Sequence, residues 1–392
     1  MKKNNGIKIF IMIVSFVLTI ALTAGVTYII TRRLMWNDMT KLQRLDAVID
    51  QYYIEEHDQE AIEDAAAAAM VDALGNRWSY YVSADEYQSY SDSHTNSYVG
   101  IGVVVVLTED GSGLQIQRLE NGGGAMDAGL QPEDVIIEIE GKPVSELGMN
   151  GATELIRGEI GSKVSMVILQ GEEELTFSVE RKKMQTVVAT GEMLEGDVGL
   201  ITIVNFNERS ADETLRLVEQ LQKQGAKALI FDVRYNPGGY KDEMVKILDH
   251  LLPEGDLFRS IDYMGYEEVD TSDKNCLDIP MVVLVNGDSY SAAEFFAAAL
   301  HEYEWATVVG TPTTGKSHFQ ISVELGDGSA VNISAGKYFT PNGVSLADVG
   351  GLEPDVVVEV DEETYMQIYY GNVPPQEDPQ IAAALEVLKK GE

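Results

Sequence analysis

Met281-Val282-Val283-Leu284-Val285 runs into Asn286-Gly287-Asp288-Ser289-Tyr290-Ser291-Ala292-Ala293-Glu294 and on through Phe295 to His301. The first five residues are apolar and mostly β-branched, which predicts a buried strand. Asn-Gly-Asp-Ser is turn chemistry. The alanine-rich run from Ala292 to His301 predicts a helix. Strand, turn and helix in this order make one unit of an α/β layer. The units on either side repeat it. Gly199 to Phe206 and Ala228 to Val233 read as strands, and Thr307 to Val309 as a third. Asp212 to Gln224 is an amphipathic helix with Leu215, Val218 and Leu221 on one face, and Glu243 to Leu252 is another helix.

The turn also carries chemistry. Ser291 ends it, and Lys316 lies downstream in Thr313-Thr314-Gly315-Lys316-Ser317-His318-Phe319-Gln320. A serine hydroxyl is a poor nucleophile until a base takes its proton. Lysine serves as that base only when neutral, which requires its pKa to fall from about 10.4. Burial among apolar residues does this, and apolar runs follow the serine and precede the lysine. The pair predicts a hydrolase that needs neither histidine, metal nor cofactor. The plainer reading makes Ser291 a helix N-cap and Lys316 a solvated surface residue. His301-Glu302 lacks the second histidine of a zinc motif. Ser289, which also follows a Gly-Asp pair, has no glycines after it and carries little weight.

The chain has 392 residues and a net charge of −36. That charge argues against nucleic-acid partners and against a surface lying flat on anionic lipid. The single cysteine, Cys276, permits no internal disulfide. Ile9 to Thr31 is uncharged and mostly apolar, flanked by Lys2, Lys3 and Lys8 before it and Arg32 and Arg33 after it. Its length suits a membrane span better than a signal-peptide core. The expectation is a single-pass anchor in a bacterial membrane with the remaining chain extracytoplasmic; a cleaved signal peptide is the alternative. Residues 1–35 are then stub and anchor, 36–96 a helical region, 97–184 a β-rich module, 185–360 the α/β core and 361–392 an acidic tail ending in a helix. Within 36–96, Leu42 to Leu74 reads as helical and Tyr80 to Asn96 as a connector.

Taken together these residues resemble the C-terminal processing peptidases, serine proteases with an inserted PDZ domain. Asn286 to Glu294 is similar to the family's N-x-x-S-A-S-A-x-E run, and Gly315 to Gln320 to its G-K-G-x-x-Q run. Asp232-Val233-Arg234-Tyr235-Asn236-Pro237-Gly238-Gly239 matches D-x-R-x-N-x-G-G. Tyr338-Phe339-Thr340-Pro341 and Gly351-Leu352-Glu353-Pro354-Asp355 look like its late strand and Pro-Asp turn. Tyr98-Val99-Gly100-Ile101-Gly102 resembles the PDZ carboxylate-binding loop, and Gly124 to Leu130 the pattern P-A-x-x-A-G-L.

The resemblance implies a crotonase/ClpP-like α/β protease core behind the PDZ domain. It makes Ser291 the nucleophile, Lys316 its general base and Gln320 the residue that orients the lysine. Gly239 and Ala292 would supply oxyanion N–H donors, with Gly238 a near-equal candidate for the first. Val99, Gly100, Ile101 and Gly102 would take a protein C-terminus by strand addition. Arg157 would link its arrival to the catalytic site, and a homodimer is implied. Tyr290 and Ser317 depart from the family's small residues beside the two catalytic positions. They motivate an alternative, a catalytically silent PDZ scaffold. An acyl-processing enzyme on the related core is disfavoured by the PDZ insertion and the anchor.

Overall fold

The computed structural model describes residues 3–390; Met1, Lys2, Gly391 and Glu392 lie outside them. Backbone contacts divide the chain into two compact units, Met1–Ala65 and Ala66–Glu392. In the first, a helix spans Lys3–Asp38, and its stretch Phe10–Tyr28 has a mean hydropathy of 2.3. That stretch is long and apolar enough to cross a bilayer; an N-terminal secretion signal meets the same description. The single helix expected from Leu42 to Leu74 is two, Lys41–Tyr52 and Gln59–Asp72. Tyr53 turns extended, and the Asp58 carboxylate accepts the Ala61 N–H to start the second helix.

The second unit holds a PDZ module and an α/β core. The module is an antiparallel sheet in the order Val103–Leu107, Leu114–Leu119, Val135–Ile139, Lys163–Gln170, Glu173–Glu180. Ile101, Leu114, Ile116, Ile136, Ile139, Met166 and Ile168 close its interior. Its longer helix is Val144–Ile156, bent at Gly148, where φ is +63°. A two-stranded ribbon, Ser97–Gly100 against Lys182–Gln185, forms its root.

The core sheet runs Ala189–Leu194, Val198–Ile203, Ala228–Asp232, Met281–Val285, Ala306–Gly310, Val356–Val357. Its first pair is antiparallel and the rest are parallel. Alternate residues serve opposite faces. Ile201, Leu229, Phe231, Val283 and Val285 pack against the helices Ser210–Gln224, Lys241–Leu251 and Ala292–Glu302. Leu200, Ile230, Val282, Leu284 and Val309 pack against Ile381, Ala384 and Leu388 of the closing helix Pro379–Lys390. Burial on both faces explains the unbroken apolar runs.

A further antiparallel sheet covers the site. Ala330–Phe339 pairs with Tyr80–Val82, Gly255–Asp262 and His318–Glu324, and Glu267–Ser272 extends it. The supposed connector is therefore structured: strand Tyr80–Val82, then helix Ala84–His94. Tyr80 pairs with Asn332, far along the chain, and such pairing leaves no local periodicity to read.

Candidate active site

A cavity of about 1530 Å³ opens where the core sheet meets this cover, lined among others by Trp78, Tyr290, Ser291, Lys316, Gln320 and Tyr338. Ser291 sits between the strand Met281–Val285 and the helix Ala292–Glu302 with φ +60° and ψ −129°. A non-glycine residue holds positive φ only when its surroundings impose it. Here Gly238 approaches so closely that a Cβ on it would lie 2.7 Å from Ser291 Cβ and 2.8 Å from Ala292 N. The Ser291 hydroxyl heads the helix Ala292–Glu302 in a capping-box arrangement with Glu294. It lies 2.7 Å from the hydroxyl of Tyr338, which is buried.

Glu294 fixes the pieces to one another. Its carboxylate is wholly buried. Oε2 accepts the N–H of Ser291 at 3.0 Å and of Lys316 at 2.8 Å. Oε1 accepts the N–H of Gly315 at 2.6 Å and the Thr313 hydroxyl at 2.5 Å. Burial raises its pKa, and these four donors pull it back. Glu294 was quoted in the sequence only as part of a motif; an acid in the first turn of an apolar helix was the available signal.

Lys316 follows Gly315 in an irregular segment. Its Nζ lies 4.6 Å from the centroid of the Trp78 ring and 5.9 Å from that of Tyr290. Burial lowers its pKa to about 8; the Glu294 charge opposes this and the Arg77 charge assists it. The amine and the Ser291 hydroxyl line one cavity, and no hydrogen bond joins them in this arrangement.

Gln320, which the resemblance makes the residue that orients the lysine, makes no hydrogen bond to it. The strand His318–Glu324 starts after the lysine and carries a register shift between Phe319 and Gln320, so residues four apart do not share a face here. The Gln320 amide donates to His318 O at 2.9 Å and to Ser334 Oγ at 3.2 Å, not to the lysine.

The turn after Arg234 separates the oxyanion candidates. The Gly238 N–H is occupied by Asn236 Oδ1 at 2.8 Å. The N–H groups of Gly239 and Ala292 have no acceptor among the described residues. Arg234 is buried and paired with Asp232 at 2.6 Å and with Asp378 at 2.9 Å, while its Nη1 also donates to Gln380 Oε1 at 2.8 Å. It is a structural ion pair whose second carboxylate comes from the base of the closing helix. Replacing Arg234 with methionine strands two buried carboxylates and is expected to cost about 3–5 kcal/mol, measured by denaturant unfolding.

The departures from the family pattern have distinct uses. The Ser317 hydroxyl accepts the Ala347 N–H at 2.9 Å, which ties the lysine segment to the helix Leu346–Val349. Tyr290 packs on Trp78, ring centroids 5.6 Å apart, and walls the lysine pocket. Ser289 donates to Val233 O at 2.7 Å and is structural.

At the module, Gly102 has φ +75°, and the carbonyls of Ile101 and Gly102 accept from Ala125 and Glu120. The N–H groups of Ile101 and Gly102 have no acceptor among the described residues. Arg157 caps the helix Val144–Ile156, exposed and without an ion pair among the described residues. Its charge acts on Tyr98, whose hydroxyl donates to Glu120 at 2.6 Å.

Residues 197–358 match the family model for Peptidase family S41, and residues 116–170 match that for the PDZ domain. The architecture is thus that of a PDZ-bearing serine peptidase. The carboxy-terminal processing protease CtpA of Bacillus subtilis is 31% identical over 360 residues, 90% of this chain and 77% of that protein. CtpB of the same organism is 32% identical over 331 residues, 82% and 68% of the two chains. A crystal structure assigned to the S41 proteases, from Bacteroides fragilis, superposes with a TM-score of 0.50 at 19% identity, covering 88% of this chain and 97% of its own, and shows the shared fold. The chain belongs to the S41 family of serine-type C-terminal processing peptidases.

Proposed function

We propose that this protein is a membrane-anchored endopeptidase that captures protein C-termini with its PDZ module and cleaves them with Ser291 as nucleophile and Lys316 as general base. The observation that carries this is the lysine: an amine in an aromatic pocket, with its pKa brought down to about 8, beside a strained serine in one cavity. At neutral pH a useful fraction of it is free base. It takes the serine proton as the hydroxyl attacks the carbonyl carbon and returns it to the leaving amine. Gly239 and Ala292 N–H stabilise the oxyanion. Gln320 acts on the lysine at one remove, through its bond to Ser334. The apolar N-terminal helix holds the enzyme on the outer face of a bacterial membrane, and two copies associate.

The free N–H groups at Ile101 and Gly102 suit a carboxylate, and a strand added beside Val103–Leu107, an edge of the module's sheet, supplies main-chain bonds. Arg157, unpaired at rest, gains a charge-assisted bond to that carboxylate. An unfolded protein ending in apolar residues is expected to be cleaved several-fold faster than the same protein ending in acidic ones. Arg157→Ala is expected to erase most of that difference, read as kcat/KM for the two substrates. Full discrimination in Arg157→Ala removes Arg157 from the link.

The bond between Ser291 and Tyr338 favours a second reading, a silent PDZ scaffold. Peptide binding without turnover by the wild-type chain would select it.

A further inference from the structure

Two cations share one indole ring. Arg77 Cζ lies 4.0 Å from the Trp78 centroid and Lys316 Nζ 4.6 Å from it. A single cation over an aromatic face is stabilised by it. Two cations so close also repel, and guanidinium does not release its proton in proteins. The repulsion therefore falls on the lysine and favours its neutral form. From the arrangement on this ring we propose that Arg77 and Trp78 are positioning residues that favour the free base of Lys316, Trp78 by sealing the amine from water and Arg77 by repelling its charged state. This rests on Lys316 being the base.

The turn is built to hold that ring. Asn76 Oδ1 accepts the Trp78 N–H at 2.9 Å and the Ser334 hydroxyl at 3.3 Å. Ser79 Oγ accepts the Ser334 N–H at 3.0 Å. Ser334 Oγ is in turn the acceptor for Gln320. Gln320 thus reaches the lysine indirectly, through Ser334, the Asn76 turn and the indole.

The other groups facing the amine do not supply the same effect. Glu294 pulls toward the ammonium form, but its oxygens are already engaged by four donors. Tyr290 contributes a ring face. Tyr338, buried on the serine side, is a neutral phenol. Burial and the charges of Lys337 and Lys316 lower the His318 pKa, with Asp348 opposing. Arg77 is the cation that acts against the ammonium form, and its exposed position means that removing it leaves the packing in place.

The test measures kcat/KM across about pH 6–10 for the wild type, Arg77→Ala, Arg77→Lys and Trp78→Leu. In Ser291→Ala backgrounds of the same variants, carbon-13 dimethylated Lys316 is titrated by NMR. Arg77→Ala is expected to raise the acidic limb and the NMR midpoint together by about half to one pH unit, through loss of a neighbouring like charge. Arg77→Lys should restore both. Trp78→Leu should raise both, because the water it admits outweighs the lost ring face. An unmoved NMR midpoint in Arg77→Ala and Trp78→Leu overturns the proposal. A midpoint that moves while the limb stays put spares the effect on Lys316 and overturns the base assignment on which it rests.

Discussion

Ser291→Ala and Lys316→Met are each expected to bring cleavage of an unfolded protein with an apolar C-terminus down to background, while Lys316→Met makes the fold more stable at pH 7. Nucleophile and base act as one unit, so removing either costs nearly as much as removing both, on the order of 10⁶ in kcat in the best-studied serine peptidase. The stability argument follows from linkage. The lysine's folded pKa of about 8 lies below its unfolded value, near 10.4. Below about pH 8 the folded chain carries the full penalty of a buried ammonium. Between that pH and the unfolded pKa the unfolded chain binds more protons, so stability rises with pH. Methionine is of similar length and apolar, and it has no such penalty. Thermal unfolding of both proteins from neutral pH upward should show the variant ahead at pH 7 and the gap closing above pH 8. A gap of the wrong sign, constant across this range, means that the amine is not held under desolvation.

Glu294→Ala is expected to lower both stability and turnover by large factors. It leaves the N–H groups of Ser291, Gly315 and Lys316 and the Thr313 hydroxyl without their acceptor. Each unsatisfied buried group costs about 1–3 kcal/mol, and a domain's whole stability is about 5–15 kcal/mol. The carboxylate also fixes the backbone of Ser291 relative to that of Lys316, the proposed nucleophile and base, so loosening it should cost at least ~10²-fold in kcat. Glu294→Gln has the same shape but replaces one acceptor oxygen with a donor group, facing donors already there. It should therefore resemble alanine more than wild type. Denaturant unfolding and kcat on one substrate decide it; a glutamine variant that matches wild type in both shows that the charge is dispensable.

The core was legible wherever the signal was local. Met281–Val285 and Ala292–Glu302 follow from a β-branched run and an alanine-rich one. The covering sheet was not, because its strands pair across most of the chain and several are short and mixed in polarity. The site divides in the same way. Ser291 and Lys316 line one cavity, as their motifs imply. The register shift that turns Gln320 toward Ser334 leaves no mark in spacing, nor does the Asn236 side chain that occupies the Gly238 amide. Trp78 was hidden in a stretch with no periodicity, because its partners are the lysine and tyrosine of distant segments.

The buried Arg234 has a consequence for the order in which the molecule comes apart. It joins Asp378, at the base of the closing helix, to the strand that ends in the Gly238-Gly239 turn. Amide exchange in small proteins proceeds through cooperative units that open together. The last helix and the Gly238-Gly239 turn are therefore expected to exchange as one such unit. A fluctuation that frees the helix uncovers the Arg234 guanidinium and its two carboxylates at once, so the turn is expected to lose its support together with the helix.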